Sequence, residues 1–173
     1  RFGEHPDLPH IKAEGKFRAG VLLRNIEHIE VGYLEVSNQG MEQGSFRYGV
    51  LLELENYGTA HDVRVHHCYI HDVNGSNTKS EAGRGILWRV VQAERPSRWD
   101  GLIIEHNRLL RVDRDGIRGV SPYNLRHVRH PHRRVIIRHN LIEDFGGDGI
   151  VAHNCNGAVV EYNTLLHGAQ RTT

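Results

Sequence analysis

Asp115 and Asp148 each stand directly before a Gly-Ile pair, and Arg84 stands before a third. Two carboxylates and a guanidinium at equivalent places in a recurring phrase are the residue types of two reactions. Glycoside hydrolysis needs one carboxylic acid to protonate the leaving oxygen and one carboxylate to activate water or attack, and Asp115 and Asp148 supply the pair. β-Elimination needs a carboxylate on the substrate neutralised by a cation or Arg, and then a base for the adjacent proton. Arg118 and His153, a few residues further on, suit that second task, and Arg84 and Arg89 suit contacts to substrate. Asp113, Asp115, Asp144 and Asp148 offer hard oxygen ligands for Ca²⁺. The plainer reading of an Asp before Gly is a turn residue bonding backbone N–H groups, and both readings stay open at this point.

The elements that must position these residues follow from a repeat. Gly20, Gly49, Gly85, Gly116 and Gly149 each open an aliphatic run, at steps of 29, 36, 31 and 33 residues. Each unit contains a second strand of alternating pattern, as in "LIIEHNRLL" and "VIIRHNLI", which aligns Leu34, Cys68, Asn107, Asn140 and Asn163. Short strands with period-two patterning and no helical stretch predict a parallel β-solenoid of about five coils. Equivalent residues then stack about 4.8 Å apart, so each inward Asn amide can bond the next. His67, His106, His139 and Tyr162 form a neighbouring column of rings, read as a packing device.

With Val21, Val50, Ile86, Ile117 and Ile150 inward, alternation turns Arg24, Glu53, Arg89, Arg118 and His153 outward. A strip of Arg84, Arg89, Asp115, Arg118, Asp148 and His153 would line a groove walled by loops 74–83, 91–99 and 121–132, fit for an extended acidic sugar chain.

Composition sets the limits. One domain spans 1–173, with 1–18 irregular or a partial coil and 19–173 the coils. A net charge of +1 gives no case for nucleic acid, although 19 Arg against 3 Lys favours planar contacts to carboxylates. No stretch approaches the roughly 20 apolar residues of a membrane span. Cys68 and Cys155 are too few for a disulfide framework, and they fall on distant coils. The loop "RHVRHPHRR", with His127, His130 and His132, matches no zinc spacing and reads as a solvated or anion-contacting loop. His66, His67 and His71 alternate along one strand and cannot all converge, so no metal site is expected from the histidines.

The "HN" columns, the "DGI" phrases and the loop "HDVNGSN" resemble bacterial right-handed parallel β-helix proteins of the pectin-lyase-like superfamily. The resemblance implies an all-β, single-stranded parallel β-helix. It also implies a polysaccharide or oligosaccharide partner, glycoside hydrolase or polysaccharide lyase activity or glycan binding without turnover, and a secreted or periplasmic site. The "GDGIVAHN" stretch is loosely similar to polygalacturonase-type hydrolases, while their Gly-His-Gly and Arg-Ile-Lys signatures are missing. Five coils without a capping segment predict a fragment of a longer helix.

Overall fold

In the computed structural model, which describes residues 7–78, 81–124 and 128–169, the chain winds with one stretch of strand in each of three sheets per coil. The first sheet has five strands that begin around the recurrent glycines: β2 (Ala19–Arg24), β5 (Tyr48–Leu54), β8 (Arg84–Val90), β11 (Asp115–Val120) and β15 (Ile150–Val151). The second contains β3 (Ile29–Gly32), β6 (Thr59–His66), β9 (Arg98–Glu105), β12 (His132–Arg133), β13 (Ile136–Arg138), β16 (Cys155–Asn156) and β17 (Val159–Glu161). The third contains β1 (His10–Lys12), β4 (Glu35–Asn38), β7 (Tyr69–Val73), β10 (Arg108–Val112), β14 (Leu141–Phe145) and β18 (Thr164–Gly168). Strands of successive coils pair in parallel. This is a parallel β-helix. No helix among the described residues is long and apolar enough to cross a membrane.

The pairing register reproduces the expected columns. Val21, Val50, Ile86, Ile117 and Ile150 lie side by side and pack inward with the aliphatic faces of the other sheets. The glycine ahead of them answers to close packing at the corner. A Cβ on Gly85 would stand 2.4 Å from Leu109 Cδ2 and 2.7 Å from the Gly116 carbonyl oxygen, and Gly116 is crowded in the same way by Gly149 O and Ile142.

At the corner between the second and third sheets the polar groups are satisfied along the axis. Asn107 Nδ2 donates to Asn140 Oδ1 at 3.0 Å, and Asn140 Nδ2 donates to Asn163 Oδ1 at 2.9 Å. The same amides donate to Val65 O and Ile104 O of the preceding coil, and Cys68 N–H donates to Asn107 Oδ1. Immediately before these positions the chain turns through left-handed residues: Tyr33, His67, His106, His139 and Tyr162 have φ between 50° and 57°. Such backbone costs on the order of 1 kcal/mol per non-glycine residue. Part of that cost is offset by ring stacking along the column, at 5.0, 4.9, 4.8 and 5.1 Å between centroids.

Cys68 and Cys155 are both free thiols. The histidine-rich loop differs from expectation. His127 lies outside the described residues, but His132 is fully buried on β12, where its Nδ1 accepts the Trp99 N–H at 3.2 Å. A ring in the second sheet is thus core, not solvated loop, because the polar run ends one strand earlier than its composition suggests.

Candidate functional site

The outer face of the first sheet carries three rows across the coils. Ala19, Tyr48, Arg84 and Asp115 form one; Leu22, Leu51, Leu87, Arg118 and Val151 form the second; Arg24, Glu53, Arg89 and Val120 form the third. Leu51 and Leu87 point away from the main core and yet are only 1% exposed, in a small cluster with Tyr48. Arginine stems cover apolar surface well while their heads reach polar partners. Here the Arg18 and Arg84 guanidinium carbons stand 5.5 and 6.0 Å from the centroid of the Tyr48 ring.

Two buried carboxylates anchor these cations. Asp115, 1% exposed, accepts from Arg84 Nε at 2.9 Å and lies 3.4 Å from Arg118 Nη1 and 3.6 Å from Arg114 Nε. Glu53 takes Arg89 at 3.2 Å, Arg24 at 3.4 Å and Arg18 at 3.5 Å. Charges removed from water require partners of this kind. Asp115 thus has three arginine neighbours, Arg84, Arg114 and Arg118, of which Arg114 was not singled out from the sequence.

Asp148 behaves differently. Its side chain is 49% exposed, and its Oδ2 accepts from Arg118 Nη1 at 2.8 Å. Its backbone N–H donates to Asp115 Oδ1 at 3.3 Å. The same Arg118 nitrogen thus stands 3.4 Å from Asp115 and 2.8 Å from Asp148, so the two carboxylates are neighbours about one guanidinium.

His153 does not sit on a surface strand, since β15 ends at Val151 and the chain turns there with His153 N–H donating to Val151 O. Its Nδ1 accepts from Ser121 N–H at 3.2 Å, and its Nε2 faces the Asn124 amide at 3.1 Å. Burial, and then the charge of Arg118, lower its pKa, which favours the neutral ring.

Of the expected strip, Asp115, Arg118 and Asp148 come together with Arg84. Arg89 belongs to the Glu53 group, and Arg84 is committed to Asp115 rather than presented to a ligand. The described parts of the expected loops bond to neighbouring residues. Asn77 O accepts from Arg114 Nη1 at 2.9 Å, and Tyr123 bonds both backbone groups of Ala93. Residues 79–80 and 125–127 of these loops lie outside the described set. Unforeseen was an open cleft of about 260 Å³ between residues 15–18 and 44–47, where Phe17 and Phe46 are exposed beside Arg18 and Arg47.

The four aspartates offered for Ca²⁺ do not gather. Asp115 and Asp148 are paired with Arg118, Asp144 lies beside His167, and Asp113 accepts from Gln43. One group among the described residues has metal-ligand geometry, and it lies on the third sheet: His10, Glu35 and His71.

Neither a family model nor a curated protein matches the chain. Among solved structures it is similar to the native crystal structure of a GH136 lacto-N-biosidase from Eubacterium ramulus. The TM-score is 0.73 with 26% identity, covering 87% of this chain and 28% of that one. The selenomethionine derivative of the same enzyme matches with a TM-score of 0.68 and 21% identity, over 88% of this chain and 35% of that one. The chain therefore spans about a third or less of the neighbour's length.

Proposed function

We propose that this chain is part of the glycan-handling machinery of a glycoside hydrolase-like protein, with an oligosaccharide lying along the outer face of the first sheet. The carrying observation is the arrangement of Asp148 and buried Asp115 about the shared Arg118, on a β-helix similar to a lacto-N-biosidase. Arg118 holds the Asp148 carboxyl in place through a 2.8 Å contact, and a carboxylate positioned in this way suits a nucleophile, a base or a stabiliser of developing positive charge. Asp115, 1% exposed and enclosed by three arginines, is out of reach of a ligand and acts as a positioning residue. The acid of a hydrolysis would have to come from another group. The Phe17 and Phe46 rings, flanked by cations, suit the apolar face of a sugar at the far end of the same surface.

An acidic chain and an elimination mechanism fit this surface less well than a neutral glycan. Arg18, Arg24, Arg84, Arg89 and Arg118 already hold carboxylates, so a uronate would compete with Asp115 and Glu53 for them. We therefore favour neutral oligosaccharides carrying lacto-N-biose units. Burial of Asp115 supports a second reading, in which the face binds glycan without turnover.

Calorimetric titration with such oligosaccharides and with a uronan, alongside a reducing-end assay, separates these readings. Binding with new reducing ends that fall at least about 100-fold in Asp148→Asn supports the hydrolase. Binding without release supports the second reading. Binding of the uronan alone, with an absorbance rise at the elimination product, would overturn both.

A further inference from the structure

The outer face of the third sheet holds a cluster that the glycan surface does not use. His10 on β1 pairs with Glu35 on β4, and Ser37 on β4 pairs with His71 on β7, so one outward residue from each of three successive coils meets its neighbours. His71 Nε2 lies 2.9 Å from Glu35 Oε1, and His10 Nδ1 lies 3.3 Å from the same oxygen. All three ligand atoms fall within 4.8 Å of one another. Bonds of 2.0–2.1 Å to a tetrahedral zinc ion place ligand atoms about 3.3 Å apart, so little movement is needed to close around an ion.

The far side of each ring is also engaged. His71 Nδ1 meets Asp72 Oδ2 at 2.6 Å, and Asp72 is itself clamped by Arg111 through Nε at 2.6 Å and Nη2 at 2.8 Å. His10 Nε2 meets Ser37 Oγ at 2.9 Å. A neutral imidazole has one N–H. With that proton directed at Asp72, the His71 ring presents a lone pair to the Glu35 carboxylate. Two lone-pair donors at 2.9 Å repel unless a proton or a cation stands between them. Metal-bound histidines characteristically carry such outer acceptors, which fix the tautomer and raise ligand basicity. Tyr69 stacks on the His71 ring at 4.4 Å and limits its rotation, and the His71 side chain is only 12% exposed.

We propose that His10, Glu35 and His71 form a site for a divalent ion of the zinc class, with Asp72 and Ser37 as the outer partners and a fourth position open to water. Two imidazoles and one carboxylate are the donor set of open zinc sites. The ion would tie β1 to the two coils that follow it.

The test is calorimetric titration of chelator-treated full chain with Zn²⁺, with the visible absorption of Co²⁺ as a second readout. One ion per chain with a micromolar or tighter Kd is expected. His10→Ala and Glu35→Gln should each weaken binding at least about 10-fold, and Asp72→Asn by about 10–100-fold. His106→Ala with His139→Ala, which removes two rings of the exposed stack, should leave it unchanged. Circular dichroism of each variant checks folding, and His10→Ala, on the short strand β1, is the variant least coupled to it. Absence of saturable binding would overturn the proposal. So would binding that survives both His10→Ala and Glu35→Gln, or that is lost only with the ring-stack pair.

Discussion

Asp115→Asn tests whether the arginine lattice on the first sheet is a buried structural unit. The substitution keeps the side-chain shape and removes the charge. Arg84, 7% exposed at its side chain, then stays buried without that carboxylate, and Arg114 and Arg118 lose the same partner. Breaking a buried ion pair on one side costs about 3–5 kcal/mol. An Asn oxygen can still accept one of the former hydrogen bonds, which places the expectation near the lower end, about 3 kcal/mol. For a chain of 173 residues, about 2–4 °C of melting temperature accompanies each kcal/mol, so a fall of about 6–12 °C follows. Urea unfolding should be followed by tryptophan fluorescence as well as circular dichroism, since coils of a solenoid can lose stability locally. Trp88 is well placed for this: it is fully buried on β8, the strand that carries Arg84. Asp148→Asn is the matched comparison. With 49% of its side chain exposed, its pair with Arg118 should be worth less than about 1 kcal/mol. A loss below about 1 kcal/mol for Asp115→Asn, or an equal loss for both variants, would refute the division into a buried positioning residue and a presented one.

Two further outcomes follow from the fold. Asn140→Ala removes donors to Ile104 O, Arg138 O and Asn163 Oδ1 and the acceptor of both Asn107 N–H groups, so about 2–4 kcal/mol should be lost in a urea titration. His132 gives a pH dependence, because burial lowers its pKa to about 3. The unfolded chain takes up a proton near pH 6.5 that the folded ring refuses, so its contribution is full above that pH and lost as pH falls. Denaturation at stepped pH should show about 1.4 kcal/mol lost per unit between roughly 6.5 and 3 from this group, and His132→Gln should flatten the slope by that amount.

Much of this was open to reading in one dimension. The glycines before Val21, Val50, Ile86, Ile117 and Ile150 and the column of Asn107, Asn140 and Asn163 specify coils because a solenoid stacks equivalent residues at one spacing. A period in the sequence thus becomes a vertical contact. The same logic paired Arg84 with Asp115 and set Asp148 on the next coil. It did not tell which carboxylate faces water. Asp115 and Asp148 occupy identical phrases, yet one is enclosed by Arg84, Arg114 and Arg118 and the other is half-exposed. Exposure depends on what flanks a residue: β11, which carries Asp115, lies between β8 and β15, whereas Asp148 precedes β15, the edge strand of the sheet, and has a neighbouring coil on one side only.

The sequence by itself determined the winding, the inward face and the polar corner, because these are contacts between like positions of successive units. Only the tertiary structure decided the neighbourhoods that join unlike positions. His10 and Glu35 share a register position, but His71 pairs with Ser37 rather than with Glu35, so the three do not form one column. They meet only because three strands of the third sheet lie in one particular register and their side chains lean together across it.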